Sequence, residues 1–198
     1  MGIGRRIRIA IVDSGICAGH IHVGPVAGGI SFTEDADLTD RLGHGTAVAA
    51  AIRQWTPEAH LYAVKIFDRR LTATIDALAR ALKWCRGEHM DIVNLSLGTS
   101  NPAHRERLLE VLDPGMLVIS PASMLPGSLA GVAGVEADPE CPREVFQYRN
   151  GTFYASPYPR PIPGVPVDRN LHGVSFAVAN VTGLAAAAGR ITREALII

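Results

Sequence analysis

Hydrophobic and polar positions follow two alternating patterns along this chain. Short apolar runs rich in isoleucine and valine are bounded by glycine, proline or polar residues, which is typical of the buried strands of a parallel sheet. The first run, residues 7–12, leads into Asp13 and then into a turn at Gly15. The same pattern predicts strands at residues 61–67, 116–120 and 131–135, and one that ends at Leu97.

Helical patterns separate these strands. The clearest one follows Thr74 as a capping residue, because Ile75, Leu78, Ala79 and Leu82 fall on one helix face. Further helices are predicted at residues 47–54, 101–112 and 177–188. The alternation of strands and helices predicts an α/β fold with a doubly wound, mostly parallel sheet and helices on both faces.

The composition agrees with one domain over residues 1–198. With 47% hydrophobic and 19% charged residues, the chain can bury a substantial core. Because 19 basic residues balance 19 acidic ones and are scattered, nucleic-acid binding is not expected. The sequence contains no apolar segment long enough to predict a membrane span. Five prolines within residues 156–166 predict a stiff extended loop, either a connector or a border of a substrate cleft.

The three cysteines indicate a reducing compartment. Cys17, Cys85 and Cys141 form no Cys-x-x-Cys pattern and cannot all pair within one chain. The N-terminus does not have the pattern of a secretory signal peptide. We therefore expect a cytoplasmic protein, and we expect Cys17 to be a small buried hydrophobic residue.

Three residues in separate segments supply an acid, a base and a nucleophile. A serine hydroxyl is too weakly acidic to attack an amide alone, so a neutral imidazole must accept its proton and later give it to the leaving amine. Ser175 is the candidate nucleophile and His44 the candidate base. Because the imidazole must keep one tautomer and then bear positive charge, it needs a carboxylate on its other side. Asp13 is the candidate for that role.

The local context of each residue strengthens this assignment. Asp13 follows a predicted strand, at the carboxyl end where parallel sheets bind their ligands. His44 lies near the N-terminus of the helix predicted at residues 47–54, which makes its position rigid. Ser175 precedes the last predicted helix, so its own backbone N–H points toward the reaction centre as a donor to the oxyanion. Each residue alone could simply cap a turn or a helix, but that interpretation does not explain the three together.

Four motifs together resemble the subtilase family of serine peptidases. They are Asp13-Ser14-Gly15, His44-Gly45-Thr46, Asn94-Leu95-Ser96-Leu97-Gly98 and Gly173-Val174-Ser175-Phe176-Ala177. The order Asp, His, Ser is the subtilisin order, and the similarity covers nearly the whole chain. The resemblance implies a serine endopeptidase that hydrolyses peptide bonds through an acyl-enzyme and needs no cofactor.

The chain departs from the family at the oxyanion site. The family has a Gly-Asn pair after the strand that corresponds to residues 116–120, and the asparagine side chain is a donor to the oxyanion. Here that strand is followed by Pro121, Ala122 and Ser123. Loss of such a donor typically costs about 10²- to 10³-fold in turnover, unless another group replaces it. The hydroxyl of Ser123 is the candidate replacement. It would donate to the oxyanion together with the backbone N–H of Ser175.

The resemblance also implies where a peptide or protein substrate binds as an extended strand. Ser96, Leu97 and Gly98 correspond to the edge strand on which the family pairs its substrate, and Gly98 lets the substrate backbone come close. The opposite wall of the first specificity pocket corresponds to Ser120, Pro121 and Ala122. Leu97 can alternatively be an ordinary core residue of its strand.

Two groups of residues with ligand chemistry are not expected to bind a metal. Four acidic residues match no spaced calcium loop, and we expect them to form a solvated acidic surface loop. They are Glu34, Asp35, Asp37 and Asp40. His20 and His22 have no third ligand at a matching spacing. The sequence therefore predicts no metal site.

The predicted function is the processing of one dedicated peptide or leader sequence. Compared with the secreted members of the family, the chain has no pro-segment and only a short tail after the nucleophile helix, which predicts a minimal intracellular member. The narrower resemblance is to small subtilases that remove leaders from modified peptides, including the one that serves quinohemoprotein amine dehydrogenase maturation. Two alternatives stay open: a catalytically silent chaperone or scaffold that binds a peptide strand, and an esterase with the same three residues. The oligomeric state is not determined by the sequence.

Overall fold

One eight-stranded sheet organises the chain. The computed structural model describes residues 5–197. Its strands are β1 (Arg8–Asp13), β2 (Gly28–Ser31), β3 (His60–Lys65), β4 (Ile92–Leu95), β5 (Leu117–Pro121), β6 (Ala133–Ala137), β7 (Phe146–Arg149) and β8 (Thr152–Ala155). The spatial order is β2-β3-β1-β4-β5-β6-β8-β7. Neighbouring strands are parallel except for the antiparallel pair β7 and β8.

Helices cover both faces of this sheet. They are α1 (His44–Trp55), α2 (Ile75–Gly87), α3 (Arg105–Leu109), α4 (Val174–Ala187) and α5 (Arg193–Ile197), with short 3-10 turns at Pro102–His104 and Val167–Arg169. The alternation along β1 explains the two layers, since successive strand residues point to opposite faces. Ile9 and Ile11 pack in one core with α1 and α4, whereas Ala10 and Val12 pack in the other with α2. The predicted doubly wound α/β fold is confirmed.

Some elements differ from their predicted bounds. The helix predicted at residues 101–112 is only a 3-10 turn followed by the five-residue α3, in which Leu108 is the buried residue. Within residues 101–112 the buried side chains are Leu108 and Val111, which provide too little apolar contact to stabilise a longer helix. The strand predicted at residues 131–135 begins two residues later, as β6. The proline-rich residues 156–166 contain no helix or strand, as predicted.

Three strands were not predicted from the sequence. The edge strand β2 contains Gly28 and Gly29, and a Cβ on Gly29 would collide with the carbonyl oxygen of Ala63 in β3. Glycine is therefore required there by close backbone approach rather than by an apolar pattern. The hairpin of β7 and β8 turns at Asn150 and Gly151, which both have positive φ, and β7 is mostly exposed. Its strand signal is consequently weak.

The cysteines lie in different environments. Cys17 is exposed, so the prediction that it is a buried hydrophobic residue is wrong. It lies in a surface segment that the packed layers do not cover. Cys85, on the buried face of α2, is enclosed in the core, where burial raises the pKa of its thiol. Among residues 5–197, no helix is both long enough and apolar enough to cross a bilayer.

A buried amide joins α4 to its surroundings. The Nδ2 of Asn180 donates to the carbonyl oxygens of Ser156 and Tyr158, both at 3.0 Å. Its Oδ1 accepts a hydrogen bond of 3.1 Å from the indole Nε1 of Trp55, the last residue of α1. One fully buried side chain thus fixes α4 against both α1 and the proline-rich segment.

We expect Asn180→Ala to destabilise the fold by about 2–4 kcal/mol, because it leaves two carbonyls and one indole N–H without their partner. Urea unfolding followed by circular dichroism measures this change. Gln147→Ala removes an exposed amide from β7 and should change stability by less than about 0.5 kcal/mol. Equal effects of the two substitutions would contradict the structural role of Asn180.

Candidate active site

Asp13 ends β1 with its carboxylate buried at the carboxyl edge of the sheet. The residue is fully inaccessible to solvent. Its Oδ1 accepts hydrogen bonds from the backbone N–H of Ser14 at 2.8 Å and from the Ser14 hydroxyl at 3.1 Å. A buried charge needs such partners because it has lost its hydration. These bonds hold the carboxylate in one orientation.

His44, the first residue of α1, contacts this carboxylate directly. Its Nδ1 lies 2.8 Å from Oδ1 and 2.9 Å from Oδ2 of Asp13. This close approach requires a residue without a side chain at Gly45. A Cβ at that position would collide with the carbonyl oxygen of Gly15 and lie 3.2 Å from the Cβ of Asp13. On its other side, the imidazole packs beside Phe176, with ring centroids 6.1 Å apart.

The protonated form of His44 is favoured by its surroundings. Burial of the ring opposes protonation, but the hydrogen bond to Asp13 and the negative charges of Asp13 and Asp40 outweigh that cost. The net effect raises the pKa of His44 above its ordinary value of 6.5. With a carboxylate at Nδ1, the neutral ring carries its proton there and leaves Nε2 free to accept another.

Asp40 is a site residue that the sequence analysis missed. It was expected in a solvated acidic loop, yet its Oδ1 accepts from the Ser14 hydroxyl and from the backbone N–H of Leu42 and Gly43, at 2.8 to 3.0 Å. Its Oδ2 accepts from the backbone N–H and the hydroxyl of Thr46, at 2.8 and 2.7 Å. Burial opposes its ionisation, but the hydrogen bonds from Thr46, Ser14 and Gly43 prevail and lower its pKa.

The position of Asp40 just before the start of a helix was the sequence signal that could have indicated its structural role. An acidic residue just before a helix N-terminus satisfies free backbone N–H groups and interacts favourably with the helix dipole. Through Ser14, Asp40 is also joined to Asp13. The two carboxylates therefore fix both the start of α1 and the turn after β1, and His44 lies between these two segments.

A buried lysine anchors the loop that contains Asp40. Lys65, the last residue of β3, is fully buried and donates from Nζ to the carbonyl oxygen of Thr39 at 3.0 Å. The same Nζ lies 3.5 Å from carboxylate oxygens of Asp37 and Asp68. Arg41 binds Asp37 from the solvent side at 2.8 Å. Lys65 and Arg41 thus neutralise Asp37, and Arg41 also pairs with Asp35 at 3.3 Å, so two of the four acidic residues of the predicted loop have a basic partner.

Ser175 is the second residue of α4 and faces the same cleft as His44. Its hydroxyl donates to the carbonyl oxygen of Ser96 at 3.2 Å, and the Ser96 hydroxyl donates back to the carbonyl oxygen of Ser175 at 3.1 Å. The Ser175 hydroxyl must leave this acceptor before its proton can pass to His44. Such loose contacts are common in unliganded catalytic sites. The backbone N–H of Ser175 is one of the first-turn donors without an intrahelical acceptor.

A polar chain behind Ser96 connects β4 and the segment after it to α4. The strand predicted to end at Leu97 ends at Leu95, so Ser96, Leu97 and Gly98 follow β4 as irregular chain. The Nδ2 of Asn94 donates to the Ser96 hydroxyl at 2.9 Å, and the hydroxyl of Thr182 donates to Oδ1 of Asn94 at 3.0 Å. Asn94 and Thr182 are fully buried. In the sequence, Asn94 stands out only as part of a motif. Its role in holding Ser96 becomes visible only when α4 is packed on β4.

The cleft beside Ser175 has a volume of about 410 Å³. His44, Ser96, Leu97 and Gly98 line it near the nucleophile. Its far end is mainly apolar and is formed by side chains from the segment before α2 and from α2 itself, including Phe67, Leu71, Ile75 and Leu78. The structure therefore brings the three predicted edge residues together with the two candidate catalytic side chains.

The other predicted residues lie at the border of this cleft or outside it. Ser120 and Pro121 are buried in β5, and the Ser120 hydroxyl donates to the carbonyl oxygen of Leu97 at 3.1 Å. Ala122 is half-buried. Ser123 is exposed and lines a neighbouring cavity of about 270 Å³ together with Arg105. Its role as a donor to the oxyanion stays a prediction.

A further cavity of about 380 Å³ lies on the other side of the α1 N-terminus. The proline-rich segment borders it, opposite Cys17, Asp40 and Thr46. Residues 159–162 of this segment therefore lie beside the start of α1, whereas Pro157 accepts a hydrogen bond of 3.0 Å from the backbone N–H of Gly173, just before α4. Within the described part of the chain, no three histidine, cysteine or acidic side chains converge in a metal-binding arrangement.

Comparison with known proteins identifies serine peptidases as relatives. The model of the subtilase family, peptidase S8, matches residues 4–119. A thermostable alkaline protease of Halalkalibacterium halodurans is 30% identical over 92% of this chain and 56% of its own length. Subtilisin E of Bacillus subtilis is 27% identical over 92% of this chain and 53% of its own length. The chain thus spans about half the length of these curated relatives.

Solved structures show the same fold. A cold-adapted subtilisin-like serine proteinase superposes with a TM-score of 0.70 at 18% identity, over 91% of this chain and 74% of that one. The prenylagaramide maturation protease PagA superposes with a TM-score of 0.65 at 22% identity, over the same shares of the two chains. Together with the family match and the sequence relatives, they confirm the resemblance seen in the motifs. The chain belongs to the subtilase family.

Proposed function

We propose that this protein is a serine endopeptidase with Asp13, His44 and Ser175 as its catalytic triad. The observation that supports this most directly is the imidazole of His44, which is bound by a buried carboxylate at Nδ1 and shares one cleft with Ser175. The edge residues Ser96–Gly98 line the same cleft. An acid, a base, a nucleophile and a strand for peptide pairing are therefore close together.

In the acylation step, the Ser175 hydroxyl oxygen attacks the carbonyl carbon of the scissile peptide bond while its proton passes to Nε2 of His44. Asp13 stabilises the resulting imidazolium through Nδ1–H. The tetrahedral oxyanion accepts a hydrogen bond from the backbone N–H of Ser175. His44 then gives its proton to the leaving amine, and the carbon–nitrogen bond breaks. Water, deprotonated by the same imidazole, hydrolyses the acyl-enzyme and restores the Ser175 hydroxyl.

The substrate we propose is an extended peptide segment, bound by main-chain pairing along Ser96–Gly98. The apolar far end of the cleft offers contact area for a hydrophobic side chain several residues before the scissile bond. Processing of a dedicated peptide or leader is supported by the structural neighbour PagA, which is named as a maturation protease. We further propose a cytoplasmic location, because an exposed free thiol at Cys17 suits a reducing compartment.

The first test is covalent labelling by an organofluorophosphonate, followed by intact-protein mass spectrometry. We expect one adduct on Ser175, no adduct in Ser175→Ala, and labelling slower by about 10²- to 10⁴-fold in His44→Ala, because the general base is lost. Ser128→Ala removes an exposed hydroxyl outside the cleft and should label like the wild type. A folded wild-type protein that forms no adduct would contradict the proposal and favour the catalytically silent peptide-binding alternative.

The pH dependence of labelling tests the role of His44. The base must be neutral to accept the Ser175 proton, and its pKa is raised above 6.5. The second-order labelling rate should therefore fall as the pH drops through a midpoint above 6.5. A rate that stays flat between about pH 5 and 8, the range in which a histidine usually titrates, is not compatible with His44 as the base.

Asp40→Asn tests the charge contribution of the second carboxylate. Because the negative charge of Asp40 raises the pKa of His44, its removal should shift the midpoint of the labelling profile to lower pH. Asp37→Asn is the matched control, since Asp37 pairs with Arg41 and Lys65 instead. The prediction fails if both variants keep the wild-type midpoint, or if Asp37→Asn shifts it as far as Asp40→Asn does.

A further inference from the structure

The segment after β5 folds back across the floor of the active-site cleft. The backbone N–H of Thr99 donates to the carbonyl oxygen of Leu125 at 2.9 Å, and the N–H of Leu125 donates to the carbonyl oxygen of Thr99 at 3.0 Å. These two bonds form an isolated antiparallel bridge. The extended chain that follows Gly98 is thus already paired with a neighbouring segment of the same molecule.

Met124, one residue before this bridge, packs directly on Gly98. A Cβ built on Gly98 would lie 2.5 Å from the Cβ of Met124 and 3.2 Å from its Sδ. On the nucleophile side, the Ser120 hydroxyl binds the carbonyl oxygen of Leu97 at 3.1 Å. Met124 therefore covers Gly98, and Ser120 holds the backbone of Leu97 from the side of β5.

Met124 also separates two cavities. It lines the 410 Å³ cleft that contains His44 and Ser175. It equally lines the 270 Å³ cavity that contains Ser123 and Arg105. The side chain is 38% exposed, so it forms a partition at the surface of the cleft rather than a part of the core.

A substrate residue next to the scissile bond must place its side chain close to this partition. Its carbonyl carbon has to reach the Ser175 hydroxyl, which itself lies 3.2 Å from the carbonyl oxygen of Ser96. A peptide extended along Ser96–Gly98 therefore directs that side chain either to solvent or toward Gly98, where Met124 occupies the space. Hydrogen, methyl or hydroxymethyl groups need the least room beside the thioether, whereas branched or aromatic groups would have to displace it.

We propose that Met124 is a specificity-determining residue that restricts the residue contributing the attacked carbonyl to glycine, alanine or serine. This inference rests on the proposed peptidase function. It adds a substrate class, peptides cleaved after a small residue, and it assigns the selection to one side chain. The neighbouring cavity becomes part of the substrate site only when Met124 is shortened.

The test uses p-nitrophenyl esters of N-acetylglycine, N-acetylalanine, N-acetylleucine and N-acetylphenylalanine with the full chain. The hydrolysis rate measured with Ser175→Ala, which lacks the proposed nucleophile, is subtracted from each rate as background. In the wild type, kcat/KM for the alanine ester should exceed that for the phenylalanine ester by at least about tenfold, the scale of discrimination that pocket size provides. Met124→Ala should raise the phenylalanine-to-alanine ratio by about tenfold or more, while Met124→Leu should keep the wild-type ratio.

Leu109→Ala is the matched control, because it shortens an exposed apolar side chain on α3, away from the cleft. It should leave the ratio unchanged. A wild type that is labelled at Ser175 and hydrolyses the phenylalanine ester as well as the alanine ester overturns the role of Met124 and leaves the peptidase proposal intact. Absence of labelling overturns both. If Met124→Ala does not fold, the wild-type ratio decides the question alone.

Discussion

The buried carboxylate of Asp13 is the constraint on which the site depends. Removal of an ionised carboxylate from water is costly unless hydrogen-bond donors or a cation replace the lost hydration. At the end of β1 these partners are the N–H and hydroxyl of Ser14 and the Nδ1 of His44. Since His44 is the first residue of α1, the requirement of one carboxylate also positions that helix on the sheet.

A second carboxylate extends this constraint. Asp40 shares the Ser14 hydroxyl with Asp13 and accepts the N–H of Thr46 in the first turn of α1. The loop that holds Asp40 is tied to the sheet by the buried Nζ of Lys65. Asp40 and Lys65 thus help to hold the imidazole in place, although the sequence pattern assigns Asp40 to a surface loop. The raised pKa of His44 reflects both carboxylates, so structural support and basicity have one physical origin.

The sequence predicted those parts of the site that depend on local pattern. Asp13 follows an apolar strand and Ser175 stands at the start of a small-residue helix, and the structure places them at these positions. Asp40 was misread as part of a charged loop because its bond to Ser14 spans 26 residues, whereas its bonds to Gly43 and Thr46 are local and indicate no more than a helix cap. Similarly, β2 forms through close contact between its backbone and that of β3. The position of Met124 depends on the pairing of Thr99 with Leu125, and a local sequence pattern indicates neither.

The reciprocal hydrogen bonds between Ser175 and Ser96 connect the chemistry to substrate recognition. They join the N-terminus of α4 to the strand along which a peptide would bind. The same strand, two residues further on, contacts Met124 at Gly98. A shift of this strand would therefore move the nucleophile and the floor of the cleft together. The buried chain from Ser96 through Asn94 to Thr182 opposes such a shift, and this rigidity is what allows a single flexible methionine to act as a size filter.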